Sequence, residues 1–204
     1  MSGSDSVKAS RLVVAAAVLD DLGHPTTLLC AARSYPPEHA GQFELPGGKV
    51  EPAERPEQAL ARELDEEIGL SARLGPELIA PRHLAVPAPS DSGPGDDAPA
   101  WPAMHGFRMR VWLAEPARPG DRGRAGADHQ RLEWVPLDPP DRLRRLPWLE
   151  ADLPIIDALV DALVTQLRDA DLRQRMGRAG RDLMLRQWTW PSLVDSLVEA
   201  IDAR

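Results

Sequence analysis

Apolar and polar positions follow two rhythms along this chain. The run RLVVAAAVLD (11–20) is continuous, apolar and short, which predicts a buried strand. The turn residues DLGHP separate it from TTLLCAAR (26–33), which predicts the next strand. A loop with Pro36 and Pro37 follows, and FELPGGK leaves a short extended piece before a Gly-Gly turn. From Pro56 the rhythm changes: Ala59, Leu60, Leu64 and Ile68 recur at helical spacing. Pro56 suits a first helical turn and Gly69 the left-handed position past the end. Arg55 is a poor N-cap.

Further on, ELIAPRHLAV (77–86) predicts a strand. Residues 87–102, PAPSDSGPGDDAPAWP, carry almost nothing to bury and read as a flexible insertion. GFRMRVWLAE (106–115) predicts a strand with Phe107, Met109 and Val111 on one face. PARPGDRGRAGAD (116–128) reads as a second mobile loop, and RLEWVPL as the end of a strand. From Pro154 an amphipathic helix is expected, with Ile155, Ile156, Leu159, Val160, Leu163, Val164 and Leu167 inward. Strands alternating with helices indicate an α/β domain, expected over residues 8–165, with a helical extension over 166–204.

Charge narrows the function. With 32 acidic against 24 basic side chains the formal charge is −8, which argues against a nucleic-acid polymer as partner. A nucleotide is still admitted, because a divalent cation can supply the positive charge. The single cysteine, Cys30, excludes an internal disulfide and fits a reducing, cytoplasmic compartment. MSGSDSVKAS has no signal-peptide core, and no apolar run approaches the ~18 residues of a membrane span.

One helical turn holds the candidate chemistry. Glu63, Glu66 and Glu67 stand at spacings that share a face, where like charges repel. Clustered carboxylate oxygens are what Mg²⁺ or Mn²⁺ prefer, although a solvated face also explains such a run. The wider stretch decides between them. Gly48, Glu54, Arg62-Glu63-Leu64, Glu66-Glu67 and Gly69-Leu70 fit G-x5-E-x7-R-E-U-x-E-E-x-G-U, with U aliphatic, at all nine fixed positions. The chain therefore resembles the Nudix hydrolases. That resemblance implies an α/β/α sandwich around a mixed β-sheet and hydrolysis of a nucleoside diphosphate linked to another group. It implies that Glu63, Glu66 and Glu67 hold metal, with the Gly47 carbonyl as a further ligand. Glu63 is the candidate base, and Arg62 orients the carboxylates, Glu66 among them. Glu54 supports the loop or binds metal.

FELPGGKVEPAERPEQALARELDEEIGL looks closer still to the MutT branch, whose members cleave nucleoside triphosphates to monophosphate and pyrophosphate. Arg33, eleven residues before Glu44, matches a substrate-binding arginine of that branch, and Asp128, six before Trp134, a further metal-binding carboxylate. Asp152 stands where the branch reads an oxidised guanine with asparagine, and an ionised aspartate only accepts hydrogen bonds. An oxidised guanine such as that of 8-oxo-dGTP and a cytidine nucleotide both stay open. With Lys49, Arg33 and Asp152 form the substrate-binding set. The residues alone also allow Arg33 to lie along a strand end, Asp128 to shape a turn, and Asp152 to cap the helix near Pro154. His129 in a Gly-rich loop carries no ligand signal, and Trp112 and Trp134 read as core.

Two other readings remain. Pro87 lies seventeen past Leu70, near a proline that ADP-ribose hydrolases often show, so ADP-ribose or a nucleotide sugar is the second substrate class. A non-catalytic nucleotide sensor acting through its tail is the third. That tail, Leu167 to Ile201, resembles the final helices of two-domain glycosyltransferases: Asp169 to Gly177, Gly180-Arg181 and Trp188-Thr189-Trp190. Its apolar face must bury against the main domain, a second copy in a homodimer, or another partner.

Overall fold

The computed structural model describes residues 11–89 and 95–168, and side chains as far as Leu163. Two compact units divide the chain, residues 1–160 and 161–204. Only the start of the second is described, as the end of a helix. The glycosyltransferase-like segment from Asp169 onward and the side chains of Val164 and Leu167 lie outside the described residues.

The two apolar runs form β1 (Leu12–Val18) and β2 (Thr27–Arg33), both largely buried. After them come β3 (Phe43–Glu44), β4 (Gly47–Lys49), α1 (Pro56–Ile68) and β5 (Ala72–Glu77). The chain continues through β6 (Trp101–Pro102), β7 (Arg108–Pro116), β8 (His129–Pro136), α2 (Asp141–Arg144) and α3 (Leu153–Arg168). The class is mixed α/β, as the sequence predicts, but the strands divide between two sheets. One runs β4-β1-β7-β5 with β6 also on β7; the other runs β3-β2-β8. Among the described strands β1 and β7 pair in parallel, and Phe43 of β3 makes a parallel bridge to Trp148. A Leu19–Leu28 bridge links the end of β1 to β2.

Helix α1 lays its apolar stripe on the first sheet. Ala59, Leu60, Leu64 and Ile68 pack with Val14, Ala16 and Val18 of β1 and Trp112 and Ala114 of β7. The period-two side of β1 thus meets the 3.6-period side of α1. Arg55 is the N-cap residue, and Gln58 Oε1 compensates by accepting from the Arg55 N–H at 3.1 Å. Gly69 takes the left-handed conformation (φ 58°), and Leu70 N–H reaches back to the Leu64 carbonyl at 3.1 Å.

Three sequence expectations are corrected. The strand expected over 77–86 lies earlier, in β5. Pro81 lacks a ladder donor and instead accepts from Leu84 and Ala85 in a turn. Of the flexible insertion expected over 87–102, residues 90–94 lie outside the described residues and 95–102 are anchored: Ala100 pairs with Val86, and the nearly fully buried Trp101 donates to the Leu78 carbonyl at 2.8 Å. The cause lies on β7, which is covered on both faces. Its buried Arg108 pairs with Asp96, and Arg110 with Glu77 at 2.6 Å and the Gly95 carbonyl at 2.6 Å. Buried guanidinium groups require counter-charges, and this segment supplies one. The loop 116–128 is likewise fastened. Arg124 and Gly126 donate to the Ile68 and Glu67 carbonyls at 2.7 and 2.9 Å, satisfying helix-end acceptors that have no intrahelical donor.

Candidate active site

The Gly-Gly pair, expected as a turn, instead lies in β4 against β1 (Val14 opposite Gly48, Ala15 opposite Gly47), and both positions are crowded. A Cβ at Gly47 would lie 2.1 Å from the Val14 carbonyl oxygen, and one at Gly48 would lie 2.3 Å from the Glu63 carboxyl carbon. Lys49 continues β4 and pairs with Val13.

Arg62 offsets part of the repulsion in the acidic turn. Its Nε and Nη2 clasp Glu54 at 3.1 Å each, and Nη1 contacts Glu63 at 3.0 Å and Glu66 at 3.1 Å. Nη2 also donates to the Lys49 carbonyl at 3.1 Å. The Arg62 hydrogen bonds hold the Glu54 carboxyl below its ordinary range, and the carboxylates hold the guanidinium firmly charged. Glu66 is 61% exposed and Glu63 only 15%. The three box carboxylates thus diverge: Glu66 faces solvent beside Arg62, Glu63 lies against Gly48, and Glu67 turns toward Gly47, whose N–H it accepts at 3.2 Å.

A cavity of about 610 Å³ opens beside them, lined by Glu63, Glu67, Asp128, Arg33, Lys49 and Asp152 among others. Arg62 and Glu66 are not in its lining. Burial pushes the Glu67 carboxyl up to about 7, and the neighbouring Glu44 and Glu63 charges add to the rise while His129 opposes it. Asp128 rides on the loop fastened to α1. Ser34 fixes it from the other side, donating through its N–H to the Asp128 carbonyl at 2.9 Å and through Oγ to Ala127 at 2.8 Å. Cys30 is buried core, and burial pushes its thiol far up.

Asp152 precedes the first turn of α3, where Ile156 N–H donates to its carbonyl at 2.9 Å. Its side chain reaches across the chain instead, with Oδ2 accepting from Leu45 N–H at 3.1 Å. Burial pushes this carboxyl up to about 7, against the Leu45 hydrogen bond and with help from Glu44.

Residues that sequence reasoning passed over also meet here. His129 is buried and contacts Glu44 through Nε2 at 3.0 Å, and Glu44 also pairs with Arg33. Burial alone would lower this imidazole, but the Glu44 hydrogen bond and the Glu67 and Asp128 charges outweigh it and raise the pKa. The usable signals were the adjacency of His129 to Asp128 and the eleven-residue spacing from Arg33 to Glu44. Tyr35 and the Ala103–Phe107 turn complete the far wall and carried no signal.

Among the described residues no three acidic or histidine side chains are preassembled around one point. The donor chemistry nevertheless fits a hard divalent cation. Glu63, Glu67 and Asp128 line one cavity, and partial burial together with the neighbouring Glu44 and Glu63 charges raises the Glu67 pKa.

The chain belongs to the NUDIX domain family, whose model matches residues 9–158. It is 35% identical over 145 residues to a Mycobacterium tuberculosis protein provisionally named 8-oxo-dGTP diphosphatase 2, covering 70% of this chain and 83% of that one. It is 32% identical over 149 residues to the CTP pyrophosphohydrolase of Escherichia coli, covering 72% and 90%. The solution structure of the E. coli ORF135 protein superposes with a TM-score of 0.53 at 26% identity, covering 78% of this chain and 94% of that one. No helix among the described residues is long and apolar enough to cross a membrane.

Proposed function

We propose that this chain is a divalent-metal-dependent pyrophosphohydrolase that cleaves a nucleoside triphosphate to monophosphate and pyrophosphate. The observation that carries the reading is a single cavity of about 610 Å³ that gathers Glu63, Glu67, Asp128, Arg33, Lys49 and Asp152. Its size suits a small ligand, and its lining mixes carboxylates with cations. Arg33 and Lys49 offer cations for phosphate oxygens. Glu63, Glu67, Asp128 and the Gly47 carbonyl are the proposed ligands of Mg²⁺ or Mn²⁺, with Glu66 joining from the solvent side. Such an ion, when bound, neutralises phosphate charge and lowers the pKa of water. Glu63, half enclosed and oriented by Arg62, accepts the proton of the attacking water. The water oxygen bonds to one phosphorus of the α–β anhydride, the bond from that phosphorus to the bridging oxygen breaks, and the products are monophosphate and pyrophosphate.

Asp152 is the proposed reader of the base. Ionised, its carboxylate accepts from a donor such as an exocyclic amino group; protonated, it also donates. CTP and 8-oxo-dGTP head the substrate panel because the relatives carry those names. Product analysis of both, with the canonical triphosphates, ADP-ribose and nucleotide sugars, in Mg²⁺ and then Mn²⁺, tests the reading. Monophosphate and pyrophosphate from one triphosphate, lost in Glu67→Gln, support it. Cleavage of ADP-ribose or a sugar nucleotide alone would move the substrate class. Metal-independent turnover, or none at all, would sink it.

A further inference from the structure

Resting on that reading of the cavity, we infer that His129 is a positioning residue that acts through Glu44 to hold Arg33 for the phosphate end of the substrate. The first support is register. Ala32 stands opposite Arg131 but Arg33 opposite His129, so Gln130 is an extra residue in β8. In a regular ladder Arg33 would face Gln130, and His129 would share the other face with Arg131. The bulge places His129 on the face of Ala31 and Leu132, and Ala31 is the residue that pairs with Glu44. Bulges re-aim side chains in this way.

The second support is the hydrogen-bond inventory. His129 is 5% exposed, Nε2 meets Glu44 Oε1 at 3.0 Å, and Nδ1 has no hydrogen-bond partner among the described residues. A buried nitrogen without a partner destabilises the fold, and a leucine would fill such a space at no such cost. The Glu44 contact is therefore what the imidazole provides. Glu44 Oε2 in turn accepts from Arg33 Nη1, and Arg33 Nε donates to the Tyr35 carbonyl at 2.9 Å. A guanidinium has five N–H groups. Two are fixed by these contacts, and the others belong to a side chain that lines the cavity. Held from two sides, the guanidinium keeps one orientation, as a fork for phosphate oxygens requires.

The test is calorimetric binding of the α,β-methylene analogues of CTP and dGTP, which cannot be cleaved at that bond, in Mg²⁺. His129→Leu should weaken Kd roughly tenfold, the loss of one charge-assisted contact. His129→Gln, whose amide reaches Glu44, should restore most of it, and Glu44→Gln should reproduce the loss. In an Arg33→Met background His129→Leu should change Kd by less than about twofold, because coupled residues are not additive. In turnover, KM should follow Kd while kcat stays within about twofold of the parent. A full loss that persists without Arg33, or no loss at all, overturns the relay. A shift in the Mg²⁺ titration at constant Kd also overturns it and assigns His129 to Glu67. A parent chain that binds neither analogue overturns the nucleotide reading and the relay with it; binding indifferent to His129 overturns the relay alone.

Discussion

Replacing Asp152 with asparagine isolates one buried carboxyl. Asp152 is 3% exposed, and burial lifts its pKa from 3.8 to about 7. The folded chain therefore keeps a proton that the unfolded chain releases above about pH 4. Stability falls as pH rises from about 4 to about 7, because the folded state binds more protons across that window. A tenfold change in proton affinity is worth about 1.4 kcal/mol, so the full effect is ~4 kcal/mol against folding at pH 8. Roughly 1.5 kcal/mol of that has accrued by pH 5 and roughly 2.5 kcal/mol follows between pH 5 and 7. Asparagine stays neutral, and its carbonyl can still accept from Leu45. The variant should thus melt above the parent, and the gap should widen by roughly 5–10 °C between pH 5 and pH 8 for a domain of this size. Scanning calorimetry at four pH values reads it. A gap that is constant with pH would show that Asp152 titrates as an ordinary carboxyl and that its burial has been overcome.

Three further substitutions probe other links. Glu63→Gln keeps a partner for Arg62 and should fold normally, yet lose on the order of 10²–10⁴ in kcat as a proton acceptor is removed; monophosphate release at parental rate would remove Glu63 from the mechanism. Gly126→Val would place a Cβ 2.5 Å from the Glu67 carbonyl oxygen, so the loop carrying Asp128 must move. Activity should fall while the thermal midpoint drops by an amount equivalent to ~1–3 kcal/mol, and an unchanged metal titration would refute the link to Asp128. Trp101→Ala should cost ~3–5 kcal/mol in urea unfolding, because the indole is nearly fully buried; a midpoint within error of the parent would show that residues 95–102 contribute no packing.

The parts legible in the sequence were those where one local rhythm decides the outcome. β1, β2 and α1 announce themselves because their apolar spacing matches the surface they cover, and Gly48 to Leu70 is a motif with fixed internal distances. Asp152 was legible only as a choice between base reader and helix cap. What settles its contact is Leu45, 107 residues away in sequence, which no local pattern reports. The same holds for residues 95–102. Their polar composition suggests solvent, but Asp96 answers Arg108, and that pairing exists only once β6 and β7 are side by side. His129 was passed over because a one-residue irregularity in β8 decides which face it occupies.

The Arg62 clasp also has a consequence for the order in which this protein is made. A single guanidinium joins the Glu54 loop, the Lys49 backbone and two helix carboxylates, so the shape of the acidic turn is set by the chain itself. The expected consequence is a fold that forms without a divalent ion, read as a thermal midpoint that chelation leaves unchanged.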